Sequence, residues 1–342
     1  MIGPALRELT LARIREFVRQ PEALFWVFGF PILMALGLGL AFRERGPEPI
    51  PIGVTGPSAA IWEEQLRASP GLLVRVFSAE EAEQAIDTGK ITLLVRGEGE
   101  PEFVFDPTRP DARVAGLEAD AALQQAAGRV DPVAIRRVAR DQAGGRYIDF
   151  LIPGLLGMNL MGTGMWGVGF SIATARMQKL LKRLVATPMR KSSYLLSHVL
   201  SRLIFLVLEV VVLVGFAWWV FDVGIRGSIV TFSLIALLGA LSFSALGLLT
   251  ASRTQTIEGV SGLMNLIMLP MWILSGVFFS TERFPDAIQP LIQALPLTAL
   301  NDALRGVMNQ GLPIEAIIGE LGILFAWGTI SFAVALRIFR WR

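Results

Sequence analysis

Residues 148–175 read IDFLIPGLLGMNLMGTGMWGVGFSIATA, an apolar run that carries one carboxylate, Asp149, and six glycines. A helix needs roughly 20 mostly apolar residues to cross the hydrocarbon core of a bilayer. This run exceeds that length, so it predicts a membrane-spanning helix. Its glycines indicate a helix that approaches its neighbours closely or that can deform.

The composition of the whole chain is that of a polytopic membrane protein. Its 342 residues are 53% hydrophobic and only 18% charged, whereas soluble domains carry about 25% charged residues. Apolar runs of sufficient length recur along the chain. We predict an α-helical polytopic membrane protein with six transmembrane helices at 23–42, 148–175, 198–221, 228–251, 259–280 and 316–338.

Lysine and arginine residues are distributed unevenly between the two sides of these helices. Most of them lie in the N-terminal segment, in the 176–197 connector and at the C-terminal end, whereas the short loops on the other side hold only Arg226, Arg283 and Arg305. Cytoplasmic loops of membrane proteins carry the excess of positive charge. The pattern predicts a multi-pass protein of the cell (inner) membrane with both termini in the cytoplasm.

Three parts of the chain lie outside the predicted spans. Residues 1–22 have a moderately amphipathic pattern in which Arg13 interrupts the apolar side, and they predict a helix in the cytoplasmic interface. Residues 43–147 alternate strand and helix patterns, which predicts a small extracytoplasmic α/β domain inserted between helices 1 and 2. Residues 281–315 alternate prolines with short apolar turns, and they predict either an outer re-entrant segment or a folded cap above the bilayer.

Several functional classes are excluded by residue types and motifs. The chain has no cysteine and a single histidine, His198, so we expect no metal site. The sequence GTGMWG at 162–167 matches a dinucleotide-binding pattern, but it lies in a predicted span without the strand that such a site needs. No G-x-x-x-x-G-K-[ST] motif occurs, so we expect no bound cofactor and no ATPase activity in this chain. A net charge of +2 argues against nucleic-acid binding.

One carboxylate lies midway along the third predicted span. A charged side chain at that depth costs roughly 2.5–3.5 kcal/mol on insertion scales, so Glu209 should face protein or water. Arg202 recurs on the same helical face. Glu209 therefore fits either a proton or substrate relay or a hydrogen-bonded structural group.

Neutral polar and aromatic side chains form a face on each of two spans. These faces fit either a path for an amphipathic solute or plain packing between helices. The residues are Asn159, Thr163 and Trp166 in the second span, and Asn265 and Trp272 in the fifth.

The connector between the second and third spans contains LLKRLVATPMRKS, residues 180–192. Thr187 fits a helix N-cap and Pro188 the first position of a new helix, which predicts a helix–break–helix corner below the membrane. Interleaved apolar and basic side chains on such a corner suit docking to a soluble partner, beyond the positive charge that topology alone requires. Its basic residues are Lys182, Arg183, Arg190 and Lys191.

The order of these motifs resembles that of a known family. LLKRLVATPMRKSSYLLSHVLSRL at 180–203 is similar to the cytoplasmic loop of ABC type-2 exporter permeases. LPMWILSGVFFSTERFPDAIQPLIQALPLTALNDALRGVMNQG at 269–311 resembles their fifth span and outer re-entrant segment. PIGVTGPS at 51–58 and EEAEQAIDTGKITLLV at 80–95 look like the extracytoplasmic domain of the long-loop, drug-exporter-like members.

The resemblance implies the membrane subunit of an exporter, and not an enzyme. Two such chains, or this chain and a paralogue, would form twelve spans, with an ATP-binding-cassette subunit that holds ATP and magnesium below each. The second and fifth spans would line a path for a drug-like, lipid-like or other amphipathic substrate. The ATPase would meet the N-terminal helix through Arg15 and the corner around Ala186, Thr187 and Pro188.

Two other functions stay open on sequence alone. A proton-coupled secondary transporter could use Glu209 and would need no ATPase. A membrane sensor could bind a ligand through residues 43–147, although the longest cytoplasmic segment, 176–197, is short for a signalling domain.

Overall fold

The computed structural model describes residues 4–42, 49–130, 133, 135–136, 144–179, 191–254 and 256–338. The described residues form two compact units, one within Met1–Arg43 and Asp141–Arg342 and the other within Glu44–Arg140. The helices and strands in chain order are α1 (Pro4–Val18), α2 (Pro21–Leu24), a π-helical turn (Phe25–Gly29), α3 (Phe30–Ala41), β1 (Ile50–Val54), α4 (Ala59–Leu66), β2 (Leu72–Val76), α5 (Ala79–Asp87), β3 (Leu93–Arg96), β4 (Glu102–Phe105), α6 (Pro110–Ala126), α7 (Tyr147–Met177), α8 (Lys191–Phe221), α9 (Ile229–Ala251), α10 (Ile257–Leu274), α11 (Gln289–Gln293), α12 (Pro296–Gln310) and α13 (Ile318–Ile338).

Among the residues that the structure describes, six helices are long and apolar enough to cross a membrane, which confirms a mostly helical protein with six candidate membrane helices. The second of these, α7, is the central one, because 83% of its most apolar window is buried against 17–56% in the other five. The six candidate spans are Pro21–Ala41, Tyr147–Met177, Leu200–Phe221, Ile229–Ala251, Ile257–Leu274 and Ile314–Ile338.

The glycines of α7 allow its backbone to lie directly against α9. A methyl group at Gly164 would come within 2.9 Å of the Phe243 Cβ, and one at Gly247 within 2.6 Å of the Met165 carbonyl oxygen. Side chains at these positions would push the two helices apart. Gly167 differs, because a methyl group there would meet nothing within 4 Å.

The N-terminal helix α1 packs against the first half of α8. The Phe17 and Phe205 rings lie 4.3 Å apart between centroids, and the Arg13 Nε donates to the Ser197 hydroxyl at 3.3 Å. Leu6 is buried on the same side of α1. Arg13, which interrupts the apolar side in the sequence, therefore makes a polar contact within a helix–helix interface.

The segment between α10 and α13 folds onto the first half of α7 through side chains of α12. The Arg305 guanidinium donates to the carbonyl oxygens of Phe150 and Gly276 and lies 3.6 Å from the centre of the Phe150 ring. Burial lowers the pKa of Arg305 to about 10, so the side chain stays charged at neutral pH. Asn309 donates to the Asp149 carbonyl oxygen at 2.8 Å. The Arg305 guanidinium and the Asn309 amide therefore hold this segment against α7.

The second unit is a four-stranded sheet with helices on both faces. The strand order is β2-β1-β3-β4, with β1 parallel to β2 and β3, and β4 antiparallel to β3. Ile52 pairs with Val74 on one side and Leu93 on the other, and all three side chains are buried under α4 and α6. Helix α5 covers the other face of the sheet. This unit therefore has a hydrophobic core of its own, and its residues follow α3 and precede α7 in the chain.

We expect Gly164→Val to lower the free energy of unfolding by about 1–3 kcal/mol, the usual cost of overpacking. The added side chain would displace α9 from α7. Thermal unfolding of the purified protein in detergent measures the effect. Gly167→Val is the matched control, since it introduces the same side chain into the same helix where space is open. Equal losses in the two variants would contradict the close contact.

Candidate functional site

A buried ion pair lies between α7 and α8 within the membrane unit. The Arg202 Nη1 donates to the Glu209 Oε1 at 2.8 Å, and the two side chains are only 8% and 1% exposed. Arg202 and Glu209 are seven residues apart on α8, which is about two turns of helix, so both project from one face. The pair is the most deeply buried of the salt bridges that the described residues form.

The ion pair is bound to α7 by two further groups. The Thr163 hydroxyl lies 3.0 Å from the Glu209 Oε2 and 2.8 Å from the Asn159 carbonyl oxygen, and its single proton serves one acceptor at a time. The Arg202 Nη2 donates to the Leu160 carbonyl oxygen at 3.4 Å. Arg202 therefore pairs with one carboxylate oxygen of Glu209, and the other oxygen lies within reach of the Thr163 hydroxyl.

Asn159 links this region to the first candidate span. Its Nδ2 donates at 3.1 Å to the carbonyl oxygen of Val27, which lies in the π-helical turn Phe25–Gly29. The polar residues Asn159, Thr163, Arg202 and Glu209, here called the polar cluster, thus lie where the first candidate span, α7 and α8 meet.

The two polar faces predicted to line a solute path differ in their exposure. Asn159 is buried and Trp166 is half-buried on α7, whereas Asn265 is exposed on α10 and Trp272 is half-buried. Asn265 has no hydrogen-bond partner among the described residues, and Gly262 is exposed one turn before it. One chain therefore does not bring Asn265 to the polar cluster.

The corner at 180–190 lies outside the described residues, as does the side chain of Lys191. This range includes the predicted positions Lys182, Arg183, Ala186, Thr187, Pro188 and Arg190. Arg15, the other residue assigned to coupling, is exposed on α1.

Arg176 at the end of α7 makes a contact that the positive charge of the 176–197 connector does not predict. The Arg176 guanidinium donates to three carbonyl oxygens at the end of α9, those of Ala251 at 2.9 Å, Thr254 at 2.8 Å and Ser252 at 3.3 Å. Sequence signals for such a contact are weak, because the acceptors are backbone atoms about 75 residues away along the chain.

Comparison with known proteins matches nearly the whole chain to one family. A family model described as "ABC-2 family transporter protein" matches residues 21–337. The chain belongs to the ABC-2 transporter family. The resemblance drawn from the corner and the outer segment is therefore confirmed at the level of the family.

Individual relatives of the ABC-2 family match about half of this chain. The linearmycin resistance permease protein LnrN of Bacillus subtilis is 24% identical over 176 residues, which is 52% of this chain and 46% of that protein. The inner membrane transport permease YhhJ of Escherichia coli is 24% identical over 173 residues, 50% of this chain and 46% of its own. The probable multidrug ABC transporter permease YbhR of Escherichia coli is 23% identical over 194 residues, 57% and 53% of the two chains.

The chain thus spans about half the length of these curated relatives. They are permeases, which are transporters rather than enzymes, and this agrees with the expectation that the chain is not an enzyme. Together with the six candidate spans, the family indicates a multi-pass membrane protein.

We expect Arg202→Met to lower the free energy of unfolding by about 3–5 kcal/mol, because it leaves the Glu209 carboxylate buried without its cation. Glu209→Met should have a comparable effect. The double variant should recover most of the loss, since two apolar side chains replace a pair that is costly to desolvate. Denaturant unfolding of the four proteins measures the coupling. Losses that simply add in the double variant would contradict the pairing.

Proposed function

We propose that this chain is the permease subunit of an ABC exporter. It moves a drug-like, lipid-like or other amphipathic substrate out of the cytoplasm or the inner leaflet, and a separate ATPase subunit hydrolyses the ATP. The observation that carries the proposal is the family match over residues 21–337, in a chain with six candidate spans and no P-loop in its sequence. ATP and magnesium are bound by the partner.

The proposed location is the cell (inner) membrane, with both termini in the cytoplasm and the sheet-containing unit outside. The uneven distribution of lysine and arginine supports this orientation. Trp218 and Trp219 are exposed near the end of α8, and in this orientation they would be interfacial aromatic residues on the outer side.

The corner at 180–192 and the exposed Arg15 of α1 are the proposed docking surface for the ATPase. Both carry positive charge that suits an acidic or polar partner surface, and α7 and α8 enter the corner from either side. A displacement of the corner would therefore act directly on α7, the central helix of the unit. In this mechanism, closure of the ATPase moves α7 and switches access from one side of the membrane to the other.

The exposed face of α10 is the proposed contact with a second permease subunit. The Asn265 amide has no partner among the described residues, and it lies midway along a candidate span. Lipid cannot hydrogen-bond such a group, so it should face protein or a wet path. The exposed Gly262 allows another helix to approach closely. A second copy placed here pairs Asn265 with its counterpart, and the substrate path then runs between copies.

Reversal of charge at the corner should weaken ATPase docking by roughly tenfold or more, because like charges across an interface repel. The change is Arg183→Glu with Arg190→Glu, and the measurement is co-purification with candidate ATP-binding-cassette subunits, followed by ATPase assays in liposomes. Arg75→Glu with Arg113→Glu is the control, since both residues are exposed in the other unit.

Unchanged co-purification of the corner variant would contradict the docking surface. Transport by the unaltered chain without any ATPase would instead favour a proton-coupled transporter that uses Glu209. Ligand binding to the sheet-containing unit without transport would favour a membrane sensor.

The second-subunit contact can be tested by cross-linking, because the chain has no cysteine of its own. Asn265→Cys should give a disulfide-linked dimer under mild oxidation in membranes. Val211→Cys is the control, since Val211 is 62% exposed on α8, away from the proposed contact. Cross-linking at Val211 and none at Asn265 would contradict the proposed contact.

A further inference from the structure

Arg176 lies in the last turn of α7, four residues before the corner sequence begins. Its guanidinium reaches across to α9 and donates to the carbonyl oxygens of Ala251, Ser252 and Thr254. Charged donors make stronger hydrogen bonds than neutral ones. The negative end of the α9 dipole adds to the attraction for a cation at this position.

The end of α9 needs a donor from outside because its own hydroxyls are directed to earlier carbonyls. The Thr250 hydroxyl donates to Gly247 at 2.7 Å, and the Ser252 hydroxyl donates to Leu248 at 2.7 Å. The last carbonyl oxygens of a helix have no partner within the helix. Arg176 supplies donors to the carbonyl oxygens that follow, so the end of α9 is held by a side chain of α7.

Helices α7 and α9 also touch along their length, away from the Arg176 contact. The α7 and α9 backbones touch where a methyl group at Gly247 would come within 2.6 Å of the Met165 carbonyl oxygen. A methyl group at Gly169 would come within 2.8 Å of the Gly247 carbonyl oxygen. The second half of α7 therefore packs directly against the second half of α9. Arg176 adds hydrogen bonds between the ends of the two helices.

The connector between α9 and α10 spans residues 252–256, of which the structure describes 252–254 and 256. Thr256 is the N-cap of α10, where its hydroxyl accepts a hydrogen bond from the Gly259 N–H at 3.1 Å. Arg176 thus holds the start of a connector whose other end fixes the beginning of α10. A displacement of the last turn of α7 reaches α10 through this connector, in addition to the direct packing of α10 against α7.

We propose that Arg176 is a positioning residue that transmits movement of the corner to α10. The proposal rests on the proposed function, in which a partner ATPase moves the corner and α10 faces the second copy. The side chain contacts neither nucleotide nor substrate. It acts by holding the end of α9 to α7, so that both helices and the connector move together.

The variants for the test are Arg176→Gln and a matched control. Glutamine keeps an amide donor and removes the charge and the three-way contact. Arg253→Gln is the control, since Arg253 is exposed on the same connector and carries the same charge. Arg176→Lys is the conservative variant and should recover part of the effect, because its ammonium can reach only some of the carbonyl oxygens.

Distances between spin labels report the movement. A chain without cysteine accepts labels at Gln178→Cys and Glu258→Cys, which are exposed at the ends of α7 and α10. In the otherwise unaltered chain we expect a narrow distance between these labels, the same with and without trapping of the partner ATPase by ATP and vanadate. The distance between the Glu258 labels of two copies should shift on trapping.

In Arg176→Gln we expect the distance between the labels at 178 and 258 to broaden, already in the isolated permease. Trapping should change the population ratio of the two inter-copy distances roughly tenfold less than in the unaltered chain. This corresponds to a loss of about 1.4 kcal/mol of coupling free energy. ATP hydrolysis should continue and the control variant should behave like the unaltered chain. If Arg176 only stabilised the end of α9, Arg176→Gln would lower the unfolding temperature and leave the inter-copy distance shift per ATP hydrolysed unchanged.

A full inter-copy shift in Arg176→Gln, or an unchanged narrow distance in the isolated permease, would overturn the inference and leave the proposed function intact. Failure of every ATPase subunit to bind the unaltered chain would overturn the proposed function instead. The label distances in the isolated permease would still decide whether Arg176 holds the connector.

Discussion

The contact between the α7 and α9 backbones is the constraint on which the membrane unit depends. Glycines at 164 and 247 bring the two helices together, and α3, α8, α10 and α12 pack around α7. Because α7 is enclosed on most of its length, charged side chains beside it are stabilised by partners inside the protein. The Arg202–Glu209 pair and the carbonyl contacts of Arg305 both follow from that enclosure.

Six spans and a small sheet could be predicted because run length and strand periodicity are local properties of a sequence. The shared face of Arg202 and Glu209 was also within reach, since it needs only helical spacing. Their direct pairing, and the Thr163 hydroxyl beside it, depend on how α8 lies against α7. The exposure of Asn265 likewise depends on helix rotation, which a single sequence does not specify.

Basic residues illustrate the limit of the topology argument. The positive-inside rule assigns Arg13 and Arg176 to one side of the membrane, and it treats them as equivalent to any other cation. In the structure Arg13 meets a hydroxyl on α8 and Arg176 meets three carbonyl oxygens on α9. Every residue has a backbone carbonyl oxygen, so no sequence motif indicates which one will accept such a hydrogen bond.

The π-helical turn at Phe25–Gly29 has a consequence for how the first span can vary. A π turn holds more residues than an α turn, so it takes up an extra residue without changing the length of the helices on either side. Loss of one residue there would restore regular α geometry and keep Pro21–Leu24 and Phe30–Ala41 in register. It would also move the Val27 carbonyl oxygen away from Asn159. The first span thus holds one residue more than a regular α-helix of the same length, and the Val27 carbonyl oxygen in that turn accepts the hydrogen bond from Asn159.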